Sequence, residues 1–103
     1  MPTQETTKAA RNDQIRKSAP LMHKDDRFMI TRALTAMGQS AVLEALKQTA
    51  AQTDFEPGND PYGEHDFGAF TLSTGDKCFW KIDDYNGHDG IRCVLTIMLA
   101  SDY

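Results

Sequence analysis

The run from Ile91 to Ala100 constrains the fold of this chain more than any other stretch. Successive strand residues point to opposite faces, and both faces of this run are largely apolar. One face carries Ile91, Cys93, Leu95, Ile97 and Leu99, and the other carries Val94, Met98 and Ala100. Leaving either face in water would sacrifice hydrophobic stabilisation. We therefore predict an interior strand that is covered on both sides.

Two strand-like runs precede it, at residues 67–73 and 77–83, and short links rich in Gly and Asp join the three runs. Such links favour antiparallel neighbours. Alternation over residues 27–33 suits one more short strand, although a helix there is an alternative. The sequence thus predicts an antiparallel sheet of three to four strands, with a meander at residues 67–100.

Two helices are predicted to cover the sheet. Residues 4–18 contain good helix formers without Gly or Pro, but Ile15 is their one large apolar anchor, so we expect weak attachment. Residues 40–53 repeat apolar and small side chains at the spacing of one helix face, namely Val42, Leu43, Leu46, Thr49, Ala50 and Thr53. Residues 54–66 concentrate Pro, Gly, Asn and Asp and are predicted to form a loop. The prediction is an α+β fold in a single domain over residues 1–103.

Charge narrows the classes of function. The chain has 11 basic and 15 acidic residues, a net charge of −4 and a pI near 5.2. This balance argues against direct nucleic-acid binding, which needs a clustered basic face, and favours an acidic partner-facing surface. The sequence also lacks an apolar stretch long enough for a membrane helix and the pattern of a signal peptide. We expect a cytoplasmic protein.

The two cysteines give no sign of a cofactor or of catalysis. Cys78 and Cys93 lie inside predicted strands and do not match the spacing of a zinc site. Neither has a histidine at a sequence spacing typical of a catalytic pair, so buried inert thiols are expected. Phosphate-binding glycine patterns and a Gly-x-Ser-x-Gly elbow are absent from the sequence. No cofactor and no resident metal are predicted.

The predicted loop contains the densest group of chemically reactive side chains. Glu64, His65 and Asp66 are consecutive, and Asp60 and Tyr62 lie just before them. Carboxylates and imidazole are metal ligands, but residues leaving a loop for a strand alternate in direction, so Glu64 and Asp66 share a face while His65 points away. A loop that binds a partner is one alternative. Another is a structural turn tied to a neighbouring strand.

The second strand-like run offers candidate surface residues. Phe79, Lys81 and Asp83 share one face, whereas Cys78, Trp80 and Ile82 share the other. An exposed aromatic residue between charged neighbours is typical of interfaces. The pattern leaves open whether Phe79 or Trp80 is the exposed one.

Five stretches together show a family resemblance. They are Asn12-Asp13, residues 29–32, residues 59–68, residues 79–83 and residues 94–103. With these stretches the chain resembles the alphaproteobacterial domain of unknown function 3768. The resemblance implies a small bacterial cytosolic protein, found on chromosomes and mobile elements, without an established activity.

These observations favour a protein-binding or inhibitory module over an enzyme. By analogy with other small mobile-element proteins, the specific form of this hypothesis is an inhibitor of host defence, of the anti-restriction or anti-CRISPR type. The alternative is a metal-dependent hydrolase that uses the loop residues Asp60, Glu64, His65 and Asp66 together with Asp83. The expected partner is another protein.

Overall fold

The computed structural model describes residues 7–53, 55 and 63–103, so most of the predicted loop at 54–66 lies outside the described residues. The elements follow in the order α1 (Lys8–Ser18), β1 (Arg27–Ile30), α2 (Arg32–Thr35), α3 (Gln39–Ala51), β2 (Phe67–Thr71), β3 (Lys77–Asp84) and β4 (Cys93–Leu99). One 3₁₀ turn at His88–Gly90 precedes β4, and another at Ala100–Asp102 follows it. The predicted α+β class is confirmed.

The four strands form one sheet in the order β1-β4-β3-β2. Strand β4 therefore lies inside the sheet, as predicted. Strands β2, β3 and β4 are antiparallel neighbours, but β1 pairs with β4 in parallel, with Phe28 opposite Leu95. The prediction of an entirely antiparallel sheet is wrong for this pair. Hydrophobic alternation assigns faces but not strand direction, and the long segment between β1 and β4 permits a parallel crossover.

All three helices contribute to a core on one face of the sheet. Ile15 of α1, Leu34 of α2 and Ala45 of α3 join the buried strand residues Cys78, Trp80, Ile82, Cys93, Leu95 and Ile97. On the opposite face Val94 and Met98 are buried as well, but they lie outside this core. Helices thus cover β4 on one face, as predicted, and Val94 and Met98 are shielded from solvent on the other.

The boundaries of the helical segments differ from the predicted ones. The predicted helix at 4–18 is described over Lys8–Ser18, and the predicted helix at 40–53 spans Gln39–Ala51. The run at 27–33 divides into strand β1 and the short helix α2. The inward face of α3 consists of Ala41, Ala45 and Thr49, and Leu43 is 52% exposed. No described helix is long and apolar enough to cross a membrane.

Helix α1 is attached mainly through polar side chains, which corrects the expectation of weak anchoring. Asn12, Ile15 and Arg16 are all buried. The Asn12 side-chain amide donates to the Glu64 carbonyl oxygen at 2.9 Å, and Arg16 Nη1 donates to the Thr49 carbonyl oxygen at 2.6 Å. These bonds join α1 to the segment before β2 and to the end of α3. An apolar pattern cannot reveal attachment of this kind, because the residues that provide it are polar.

Candidate functional site

One face of the sheet is left uncovered by the described helices, and we call it the open face. Register between neighbouring strands assigns to it Arg27 and Met29 of β1, Phe67, Ala69 and Thr71 of β2, Lys77, Phe79, Lys81 and Asp83 of β3, and Val94, Thr96 and Met98 of β4. Three of the candidates predicted from sequence, Phe79, Lys81 and Asp83, therefore lie together on this surface.

The structure resolves which aromatic residue of β3 faces the core. Trp80 is fully buried, and its indole Nε1 donates to Gln52 Oε1 at 2.8 Å. Gly68 lies opposite Trp80 on β2, and a Cβ atom at Gly68 would come within 2.2 Å of Nε1. The absence of a side chain there makes room for the indole. Trp80 is thus a core residue, and the surface role considered for it passes to Phe79.

Phe79 belongs to an aromatic cluster with Phe67 and Tyr103. The ring centroids of Phe67 and Phe79 are 5.2 Å apart, and the Tyr103 ring lies 5.7 Å from Phe67 and 5.4 Å from Phe79. Separations of this size are typical of favourable edge-to-face and tilted pairs. The Lys77 ammonium lies 5.6 Å from the Phe79 centroid, within reach of a cation–π contact. Tyr103 itself is 74% exposed, so the cluster is accessible from solvent.

A shallow cleft of about 470 Å³ lies on the open face beside the cluster. Val94 and Met98 contribute buried apolar surface to it, whereas Met29 is 57% exposed. Asp102 lines the same cleft, and its Oδ2 accepts hydrogen bonds from the Thr31 hydroxyl at 2.7 Å and from the Leu99 N–H at 3.2 Å. These bonds hold the turn after β4 and help to place Tyr103.

The charges of the open face differ in sign from those of the whole chain. It carries Arg27, Lys77 and Lys81 against Asp83 and Asp102, a net charge of +1 by count of three against two, whereas the chain carries −4. Lys81 Nζ lies 3.3 Å from Asp83 Oδ2. The aromatic candidates therefore do not lie on an acidic surface, contrary to the expectation of an acidic partner-facing side.

The residues that follow the loop attach it to α1 and β3. Glu64 Oε2 lies 3.5 Å from Lys8 Nζ on α1. The Asp66 carbonyl oxygen accepts a hydrogen bond from the Ile82 N–H on β3 at 2.8 Å. The His65 ring stacks on Phe55 with centroids 3.9 Å apart, and its Nδ1 lies 2.9 Å from Asp13 Oδ1. His65 has a φ of 54°, so the simple alternation of a strand does not apply across it. These contacts favour the structural interpretation of this segment.

Asp13 connects His65 to the buried Arg16. Burial alone would raise the pKa of Asp13. The hydrogen bonds from Arg16 and His65 lower it by more, so the pKa lies below its ordinary value. The Arg16 guanidinium also lies 5.2 Å from the Phe55 ring and 4.9 Å from the Trp80 ring. The sequence pattern left the Asn12, Asp13 and Arg16 group as either an ion pair or a docking patch. The structure shows a local ion pair within α1, and the same two side chains attach the helix to its own domain, Arg16 at the end of α3 and Asp13 at His65.

Metal chemistry gains no support from the described part of the chain. Among residues 7–53, 55 and 63–103, no group of three or more His, Cys, Asp or Glu side chains is placed to hold a metal ion. Asp60 and Tyr62 lie outside the described residues. The hydrolase hypothesis, which requires Asp60, stays a prediction.

Comparison with known proteins places this architecture in a family. A family model described as "Protein of unknown function (DUF3768)" matches residues 30–91, more than half of the chain. The chain belongs to this family. No match was found among curated proteins or among solved structures.

The DUF3768 match covers only part of the open face. It includes β2 and β3, with Phe67, Phe79 and Lys81, but it ends before β4 and Tyr103. Sequence reasoning missed Met29 and Tyr103 as surface candidates. Alternation could have placed Met29 beside Phe79, but only once the pairing of β1 with β4 was known. No pattern in the sequence indicates that Tyr103 folds back over β2 and β3.

Proposed function

We propose that this member of the DUF3768 family is a small protein-binding module and that the open face is its binding surface. The observation that carries the proposal is the aromatic cluster of the half-buried Phe67 and Phe79 with the exposed Tyr103, which lies beside the exposed Met29. Aromatic residues and Met are enriched at the centres of protein interfaces, where they supply most of the binding energy. Phe67, Phe79 and Met29 lie on strands of one hydrogen-bonded sheet, which reduces the entropy lost on binding.

The chemistry of the open face indicates what the partner presents. Apolar contact comes from the aromatic cluster and Met29, and the surrounding charged residues carry a net charge of +1. A complementary partner surface combines apolar side chains with an excess of carboxylates. Because rim charges act mainly on the association rate, we expect Lys77→Glu to slow association and to weaken its dependence on salt.

A matched pair of variants tests the location of the surface. Met29 on the open face and Leu43 on α3 are exposed to similar extents, 57% and 52%. Met29→Lys and Leu43→Lys therefore make the same chemical change on opposite sides of the domain. The experiment is affinity capture from native host cells with the wild-type chain and both variants, followed by quantification of captured proteins by mass spectrometry.

The proposal expects a stoichiometric protein that the wild type and Leu43→Lys capture equally and that Met29→Lys loses by about tenfold, the effect of about 1.4 kcal/mol. Equal capture by both variants would contradict it. So would binding of nucleic acid in place of protein. Circular dichroism of each variant shows whether the fold is retained.

An inhibitory role is the specific form of the proposal. A small module that covers a functional surface of a larger complex inhibits it without catalytic residues of its own. We extend the proposal to host defence complexes of the restriction or CRISPR type. Expression of the chain in a defended bacterial host should raise the plating efficiency of a susceptible phage, and Met29→Lys should remove the effect. Unchanged plating in all tested hosts would reject this form.

A further inference from the structure

Two neighbouring clefts are lined by the same two arginines, which are far apart in the sequence. Arg11 comes from α1 and Arg92 directly precedes β4, and both line both clefts. The first cleft, which we call the arginine cleft, has a volume of about 420 Å³ and is lined also by Gln14, Ile15, Leu21 and His23. Neither cleft belongs to the open face.

Asp26 fixes the guanidinium of Arg92 through two of its three nitrogens. The Nε and Nη2 atoms of Arg92 donate to the two carboxylate oxygens of Asp26 at 2.9 and 2.7 Å. The Asp26 side chain is 1% exposed, whereas that of Arg92 is 41% exposed. A guanidinium has five N–H groups, and Nη1 of Arg92 contacts no acceptor among the residues that the structure describes. The pair thus presents a fixed, partly exposed donor.

Arg11 and His23 add further donors. Arg11 donates from Nη1 to Asp84 at 3.0 Å and from Nε and Nη2 to Asn12 Oδ1, which leaves one N–H on each terminal nitrogen. His23 Nδ1 accepts the Asp25 N–H at 3.1 Å. The neutral His23 ring therefore carries its proton on Nε2, where it is a donor.

The two clefts differ in the charged residues that line them beside the shared arginines. The arginine cleft contains Arg11 and Arg92 against the buried Asp26, a net charge of +1 in a chain of net charge −4. The neighbouring cleft contains the same arginines against Asp25 and Asp84, so its net charge is zero. Because Arg11 is paired with Asp84 and Arg92 with Asp26, an anion in the arginine cleft would be held through the N–H groups that these pairs leave unused rather than by an excess of positive charge.

From this arrangement we propose that the arginine cleft binds a small organic anion. The anionic group, a phosphate or a carboxylate, contacts Arg92 Nη1, Arg11 and His23. The volume exceeds what one such group fills, and Ile15 and Leu21 provide apolar walls for a short organic body attached to it. Arginine is suited to this role because its planar donors match both groups.

The test is a titration of the full chain with phenyl phosphate, benzoate and inorganic phosphate, followed by two-dimensional NMR at low salt. The proposal expects saturable shifts of the amide signals of Gln14, His23 and Arg92 with phenyl phosphate or benzoate. The more effective of the two identifies the anionic group. Inorganic phosphate alone should bind more weakly because it lacks a body that contacts Ile15 and Leu21. Aniline, which lacks the anion, should not shift these signals.

Two matched variants provide the control. Gln14 and Gln39 are both exposed helix residues, but Gln14 lines the cleft and Gln39 begins α3. A carboxylate at position 14 repels the bound anion, so Gln14→Glu should weaken binding about threefold to tenfold while Gln39→Glu leaves it unchanged. The proposal is overturned if neither aromatic anion binds at millimolar concentration, or if both variants weaken binding equally.

Discussion

The guanidinium carbon of Arg16 lies 4.9 Å from the centroid of the Trp80 ring, and both side chains are buried. Arg16 also donates to the carbonyl oxygens of Thr49 and Gln52 at the end of α3. One polar side chain thus joins α1, α3 and the central sheet. This contact makes α1 part of the core.

Replacing Arg16 should therefore destabilise the whole domain. Arg16→Met keeps much of the side-chain volume but removes the guanidinium that donates to the two carbonyl oxygens and to the Asp13 carboxylate. We expect a loss of about 2 to 4 kcal/mol in the free energy of unfolding, measured by urea denaturation. Lys17→Met, at an exposed position of the same helix, is the control and should change stability by less than about 0.5 kcal/mol. Equal effects of the two substitutions would show that α1 is peripheral.

Asp13 should contribute a pH-dependent part of the stability. Its folded-state pKa lies below the ordinary value of 3.8, because the hydrogen bonds from Arg16 and His65 outweigh the effect of burial. The unfolded state then binds protons more readily, so the stabilisation is present above pH 3.8 and is lost as the pH falls through the folded-state pKa. The difference in unfolding free energy between wild type and Asp13→Asn should shrink across this range. A difference that stays constant from neutral to acid pH would contradict the proposed ion pair.

Gly68 should not tolerate a side chain. A Cβ atom there would lie 2.2 Å from Trp80 Nε1 and 2.3 Å from Gln52 Oε1, so Gly68→Ala has to displace the indole and its hydrogen bond. We expect a loss of about 1 to 3 kcal/mol in thermal or urea unfolding. Trp80→Leu removes the indole atoms from this clash, whereas Gln52 Oε1 stays, so the effects of the two substitutions should be non-additive. If the losses in unfolding free energy simply add in the double variant, a clash between position 68 and Trp80 is not the cause of the destabilisation.

Added metal should leave the stability unchanged if the segment at residues 63–66 is structural. Any ligand that binds only the folded state raises its melting temperature. We expect the same melting temperature with a chelator and with zinc, manganese or magnesium. A metal-dependent rise that disappears in Glu64→Ala or Asp66→Ala would instead favour the hydrolase alternative. Glu44→Ala, on α3, serves as the control for loss of a carboxylate.

The sequence was sufficient for the elements that apolar patterns encode. The alternation in residues 91–100 identified the interior strand β4, and the short links before it identified its antiparallel neighbours. Alternation also grouped Phe79 with Lys81 and Asp83, as the structure shows. It could not choose between Phe79 and Trp80, because that choice depends on which face the helices cover.

The remaining features depend on contacts between residues distant in sequence. The parallel pairing of β1 with β4 brings Met29 onto the open face, and no local signal encodes it. The inward face of α3 is made of small residues such as Ala41 and Ala45, whereas the larger Leu43 is exposed. Polar residues are usually exposed, but Asn12 and Arg16 are buried. Their burial is explained by hydrogen bonds to the carbonyl oxygens of Glu64 and Thr49, which are distant in the sequence.

Photo-crosslinking in living cells tests most directly whether the open face binds a partner protein. The residue p-benzoylphenylalanine is introduced in place of Met29 on the open face or of Leu43 on α3, two similarly exposed positions. After irradiation, we predict one dominant covalent adduct of defined mass from position 29 and none of comparable yield from position 43. Adducts of equal yield from both positions, or adducts from position 43 alone, would contradict the assignment of the open face as the binding surface.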